Sequence, residues 1–63
     1  MGLGLKIKEC REAKGMTQLQ LAEAVGVDQA AISYYEKDFK VPSLAVAKRI
    51  ATALGVTLDY LTK

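Results

Sequence analysis

Histidine is absent from this sequence, and cysteine and proline occur once each. Without histidine the commonest side chain for acid–base chemistry near neutral pH is missing. No two carboxylates cluster as a pair, and Ser33 and Ser43 have no candidate base, so an enzyme is not expected. A single cysteine, Cys10, allows neither an intrachain disulfide nor a cysteine-rich zinc site, which fits a reducing compartment. Beside Ile7 on the apolar side of a helical stretch, Cys10 reads as a packed thiol, because no basic residue is arranged to activate it. No apolar run approaches the roughly 18 residues of a membrane span. The amino terminus also lacks the apolar core and cleavage site of a signal peptide. A cytoplasmic protein without membrane partner, cofactor or small-molecule ligand is the expectation.

What remains is enough to fold. The 63 residues are 51% hydrophobic and 25% charged, as in an ordered globular chain, and they predict one domain over residues 1–63. A core this small buries only about 60% of the surface that the unfolded chain exposes, so stability has to come from regular, well-capped elements. The net charge of +2 hints weakly at a polyanionic partner, and its distribution says more. Residues 1–14 carry Lys6, Lys8, Arg11 and Lys14 against Glu9 and Glu12, for +2. Residues 15–36 carry only Glu23, Asp28 and Glu36, for −3, and residues 37–49 set Lys37, Lys40, Lys48 and Arg49 against Asp38, for +3. An acidic centre has basic flanks.

Caps mark the helices. An amphipathic stretch from about Leu5 to Lys14 ends at Gly15, which suits the left-handed position after a helix. Thr17 and Gln20 form a capping box for a second helix that stops at Gly26. Asp28 is expected to cap a third helix running to about Lys37. Pro42 and Ser43 mark the start of a fourth, ended by Gly55, and Thr57 caps a last short helix, "LDYLT". Five helices, no strands and short connections predict an all-α fold. Helical spacing assigns Leu44, Ala47, Ile50, Ala51 and Leu54 to the buried face of the fourth helix, Leu19, Leu21, Ala22 and Val25 to that of the second, and Ala31, Ile32 and Tyr35 to that of the third.

Two short helices separated by a glycine turn are the pattern of a helix-turn-helix, whose second helix lies in the major groove. The pattern needs a small residue where the helices cross, met by Ala22, and tolerance of positive φ in the turn, met by Gly26. Apolar positions at Leu21, Val25, Val27, Ile32 and Tyr35 clamp the pair at a fixed angle.

Across "LKIKECREAKGMTQ", "LAEAVGVDQAAISYYEK" and "VPSLAVAKRIATALGVTLDYL" the chain resembles the Cro/phage-repressor, or XRE-like, helix-turn-helix family. The resemblance rests on the spacing of Arg11, Gly15, Gln18, Ala22, Gly26, Glu36, Pro42, Ala51, Leu54 and Gly55. It implies a compact five-helix, lambda-repressor-like domain with the helix-turn-helix at helices 2 and 3. The function it implies is a transcriptional regulator, as a rule a repressor, bound as a homodimer to double-stranded DNA at a pseudo-palindromic operator. By the same resemblance Gln18 meets a phosphate at the start of the second helix. Gln29, Ala30, Ser33 and Tyr34 fall where the family reads bases. Lys37 and Lys40 lie in a loop set against the other phosphate strand. Arg11 and Glu36 match a structural pair joining the first and third helices. Neutral side chains suit base reading, since a glutamine pairs with adenine and an alanine methyl meets the thymine methyl, while basic flanks supply the phosphate attraction.

The chain departs from the family after the third helix, where Asp38 and Phe39 replace a usual glycine. Asp tolerates a left-handed backbone better than most residues. An aromatic residue in a loop facing DNA or solvent has no such account. Blander readings stand beside these roles. The lysines of residues 6–14 could simply solvate a helix face, and Tyr34 could be plain surface. The whole fold could also serve as a protein-interaction module of antitoxin or coactivator type, since fold does not fix function.

Overall fold

In the computed structural model, which describes residues 2–63, five helices follow one another: α1 (Leu3–Ala13), α2 (Gln18–Val25), α3 (Gln29–Glu36), α4 (Leu44–Leu54) and α5 (Leu58–Thr62). No strand occurs among the described residues. The chemistry of the caps explains most of the boundaries. Thr17 Oγ1 accepts from the Gln20 N–H at 3.0 Å, while the Gln20 side chain accepts from the Thr17 N–H at 2.8 Å, completing a reciprocal capping box. Ser43 and Thr57 accept in the same way from the Val46 and Tyr60 N–H groups. Gly26, at φ +85°, turns the chain out of α2 in a conformation that a Cβ would strain.

Ile7, Leu21, Ala22, Val25, Ile32, Ile50, Ala51, Leu54 and Leu61 form one continuous core, with Cys10, Val27 and Tyr35 among the half-buried residues packed against it. Helix α3 is held between α1 and α2, while α5 closes the far side against α1 and α4. Leu61 is fully buried there, so little surplus apolar surface is left on α5 beyond half-buried Leu58 and exposed Tyr60.

Three expectations need correction. Leu19 and Leu44, assigned to buried faces by their spacing, are 50% and 64% exposed. Leu19 lies well off the arc that Leu21, Ala22 and Val25 share around α2, and Leu44 lies at the margin of the arc set by Ala47, Ile50, Ala51 and Leu54 on α4. Asp28 has the extended backbone of an N-cap, yet its side chain makes no capping hydrogen bond. Helix α1 begins at Leu3, before Leu5, and carries Gly4 inside its first turn.

Gly4 is there because the first turn of α1 packs against the C-terminal end of α3. A Cβ at Gly4 would come within 2.5 Å of the Tyr35 carbonyl oxygen, 2.7 Å of that of Glu36 and 2.8 Å of Asp38 Oδ1. Two of these atoms are backbone, so a side chain would push the helices apart. The close approach also supplies a cap. Gly2 offers α1 no side-chain acceptor, and Asp38 Oδ1 accepts from the Gly4 N–H at 3.2 Å. Asp38 adopts φ +60°, the left-handed conformation expected at this position, and its carboxylate thereby reaches the positive end of the α1 dipole.

Candidate nucleic-acid interface

Helix α3 buries Ile32 completely and exposes Gln29, Ala30 and Tyr34 on its other side, with Ser33 half-buried between them. The Gln29 amide makes no hydrogen bond to another side chain among the described residues, and both it and the Ala30 methyl are exposed to solvent. Lys37 and Lys40 follow on the exposed loop. The structure therefore gathers Gln29, Ala30, Ser33, Tyr34, Lys37 and Lys40 along one helix and its exit.

The C-terminal end of that helix is fixed by a buried polar cluster. Arg11 Nε donates to Glu36 Oε2 at 2.6 Å, and Arg11 Nη2 donates to Glu36 Oε1 at 3.2 Å, a bidentate pair between α1 and α3. The Glu36 side chain is almost wholly buried. Arg11 Nη1 donates to the Met16 carbonyl at 2.8 Å, tying in the α1–α2 turn. The hydrogen bond to Glu36 raises the Arg11 pKa above its ordinary value, against the opposing effect of desolvation, so the guanidinium stays charged throughout the pH range of a folded protein. No buried side-chain nitrogen or oxygen among the described residues lacks a partner.

Gln18 joins the same cluster. Its Nε2 donates to Glu36 Oε1 at 3.1 Å, so Glu36 links all three of α1, α2 and α3. Because a carboxylate only accepts, this contact fixes which end of the Gln18 amide is the donor. One of the two amide N–H bonds is used inward and the other is left over, which limits how Gln18 can meet an outside group.

Of the basic flanks, Lys6 is occupied: its Nζ donates to the Tyr60 carbonyl at 3.3 Å and lies 4.5 Å from the centroid of the Tyr60 ring, bracing α1 against α5. Lys48 and Arg49 are exposed on α4, and Arg49 reaches toward the Gly26 turn. Three contacts escaped the reading of the sequence: Gly4 with Asp38, Gln18 with Glu36, and the stacking of Phe39 on Tyr34. A glycine in an early helical turn and an aspartate in a glycine's place were the available signals for the first. The other two had none, because they join elements far apart in the chain or depend on a loop's path.

Known proteins share this architecture. A model of the helix-turn-helix family matches residues 7–61. Among curated relatives, the HTH-type transcriptional regulator ImmR of Bacillus subtilis is 33% identical over 61 residues, covering 97% of this chain and 48% of its own length. An uncharacterized HTH-type transcriptional regulator of Methanothermobacter thermautotrophicus is 51% identical over 49 residues, covering 78% of this chain and 71% of that protein. The chain thus spans about half the length of ImmR and of several other curated relatives it matches. Among solved structures, the P22 c2 repressor in complex with a synthetic operator superposes with a TM-score of 0.93 at 30% identity, covering 97% of this chain and 92% of that one. The fold is the all-α, lambda-repressor-like arrangement, and the chain belongs to the helix-turn-helix family.

Proposed function

We propose that this chain is a sequence-specific DNA-binding transcriptional regulator, a cytoplasmic repressor that reads a pseudo-palindromic operator through α3 as a homodimer. The observation that carries the reading is the placement of Gln29, Ala30 and Tyr34, exposed on one side of a helix whose other side is buried at Ile32 and whose end is clamped through Glu36. Family membership and the likeness to a repressor solved on its operator support it. In this reading Gln29 pairs with an adenine edge, Ala30 meets a thymine methyl, and Ser33 and Tyr34 complete the reading set. Gln18 offers its remaining amide N–H, with the free backbone N–H groups of the α2 terminus, to a phosphate. Lys37 and Lys40 supply the charge attraction on the other strand. Arg11 and Glu36 hold the reading angle without touching DNA.

One reading helix covers few base pairs, so two subunits on half-sites about 34 Å apart are expected, with weak association off DNA. No cofactor takes part. Selection of bound duplexes from a random pool, followed by sedimentation on the selected site, tests this reading: a two-fold symmetric site carrying two chains is expected, and one chain per site at saturation would refute the dimer. The exposed Phe39, Val41 and Leu44 favour a second reading, a protein-interaction module. Binding to random DNA that is absent, or indifferent to salt, would favour that alternative, because phosphate neutralisation requires salt dependence.

A further inference from the structure

Phe39 is 72% exposed in the loop leaving α3, so burial does not account for it. Its ring stacks on Tyr34, with centroids 6.3 Å apart and planes inclined by 27°. The backbone produces this: Asp38 at φ +60° turns the chain, and the Phe39 and Lys40 N–H groups both reach the Tyr34 carbonyl, at 2.9 and 3.4 Å. Lys40 Nζ then lies 5.4 Å from the centroid of the Tyr34 ring, and Lys37 Nζ lies 5.9 Å from that of Phe39. Both separations are within the range at which a cation is attracted to an aromatic ring, about 6 Å. The carboxylate between them does not compete, since Asp38 is turned to the Gly4 N–H.

We propose that Tyr34, Phe39, Lys37 and Lys40 form one preorganised unit, in which two stacked rings hold two ammonium groups in place for DNA phosphates. Phe39 is then a positioning residue for phosphate contact, and not a reader of bases. The proposal rests on the DNA-binding reading above. A lysine side chain has four rotatable bonds and loses much freedom when it is fixed on a phosphate. A ring that already restrains the ammonium removes part of that loss before binding. It covers only one side of a group with three N–H donors, and the others stay available. The rings contribute order and no charge, which separates their effect from that of the lysines.

The test compares the parent with Phe39→Leu, Phe39→Tyr and Lys40→Ala, on the selected operator and on random duplex, across a salt series. NMR of the lysine ε-methylene protons in the free proteins accompanies it. Phe39→Leu should weaken binding to both duplexes alike, by about two- to fivefold. It should leave the salt slope unchanged, because no charge is lost, and it should remove the ring-current shifts of Lys37. Phe39→Tyr should restore both affinity and shifts. Lys40→Ala should flatten the slope by about one. A loss confined to the operator would make Phe39 a base reader, tighter binding would mean that the rings sequester the lysines, and unchanged binding would leave the stack without a role; each overturns the proposal. A parent that binds neither duplex would overturn the DNA-binding reading as well, whereas a parent that binds while Phe39→Leu matches it overturns the positioning role alone.

Discussion

The two ends of α3 are built differently. At the C-terminal end Glu36 accepts three hydrogen bonds from Arg11 and Gln18, and Asp38 just beyond it docks on the first turn of α1. At the N-terminal end Asp28 offers no side-chain cap, and Gln29 and Ala30 stand exposed. The anchored end carries the buried charge and the tight packing, and the free end carries neutral polar and methyl groups. Binding surfaces need groups whose hydrogen bonds are still to be made, while their geometry must be fixed in advance. In this helix the two demands are met about two turns apart.

The contrast predicts that substitutions at the anchored end damage stability far more than those at the free end. The largest effect is expected at Arg11. Arg11→Ala leaves a buried Glu36 without its main partner, and breaking such a pair costs roughly 3–5 kcal/mol. For so small a domain that should lower Tm by more than about 10 °C in a thermal melt; an unchanged melt would mean that the pair does not hold α3. Arg11→Lys should recover little of the loss, since a lysine cannot reproduce the bidentate fork or the third bond to the Met16 carbonyl.

A smaller loss is expected at the junction of α1 with α3. Gly4→Ala introduces a methyl group into a space bounded by backbone oxygens, and overpacking of this kind costs about 1–3 kcal/mol. On helical propensity alone the same change would stabilise by up to about 1 kcal/mol, so the sign of the shift in a denaturant titration decides whether the close approach is real.

The smallest effect is expected at the free end. Removing a capping side chain costs about 1 kcal/mol where it is hydrogen-bonded, as Thr17 is. Asp28 has only its charge to offer the helix dipole, about 0.3–1 kcal/mol at low salt. Denaturant midpoints for Thr17→Ala and Asp28→Ala at low and high salt should therefore show a salt-insensitive loss for the first and a lesser, screened one for the second. Equal, salt-insensitive losses would mean that Asp28 caps α3 after all.

Much of the scaffold was legible because it is written locally. Thr17 with Gln20, Ser43, Thr57 and the glycines at positions 26 and 55 are separated from what they cap by a few residues, and the apolar spacing of Ala47, Ile50, Ala51 and Leu54 needs one helix alone. Leu19 and Leu44 were misplaced because an apolar residue off a face, or at its margin, still fits a loosely counted period. The candidate site was legible as a set of positions, through resemblance and the helical face. Its supports were less so. That Gln18 shares the carboxylate bound to Arg11, that Gly4 admits Asp38, and that Phe39 folds back on Tyr34 all depend on elements meeting in space. Asp38 shows the boundary well: its residue type announced a left-handed turn, while the helix it would cap from outside could not be inferred until the first turn of α1 was seen against the exit of α3.

The central claim is that the free end of α3 reads sequence. Its most direct test is the affinity of Gln29→Ala and of the parent for the selected operator and for random duplex, at matched salt and with thermal melts alongside. The account predicts a loss of about 1–3 kcal/mol on the operator, little change on random DNA and an unaltered Tm. Equal losses on both duplexes, or no loss on either, would contradict it.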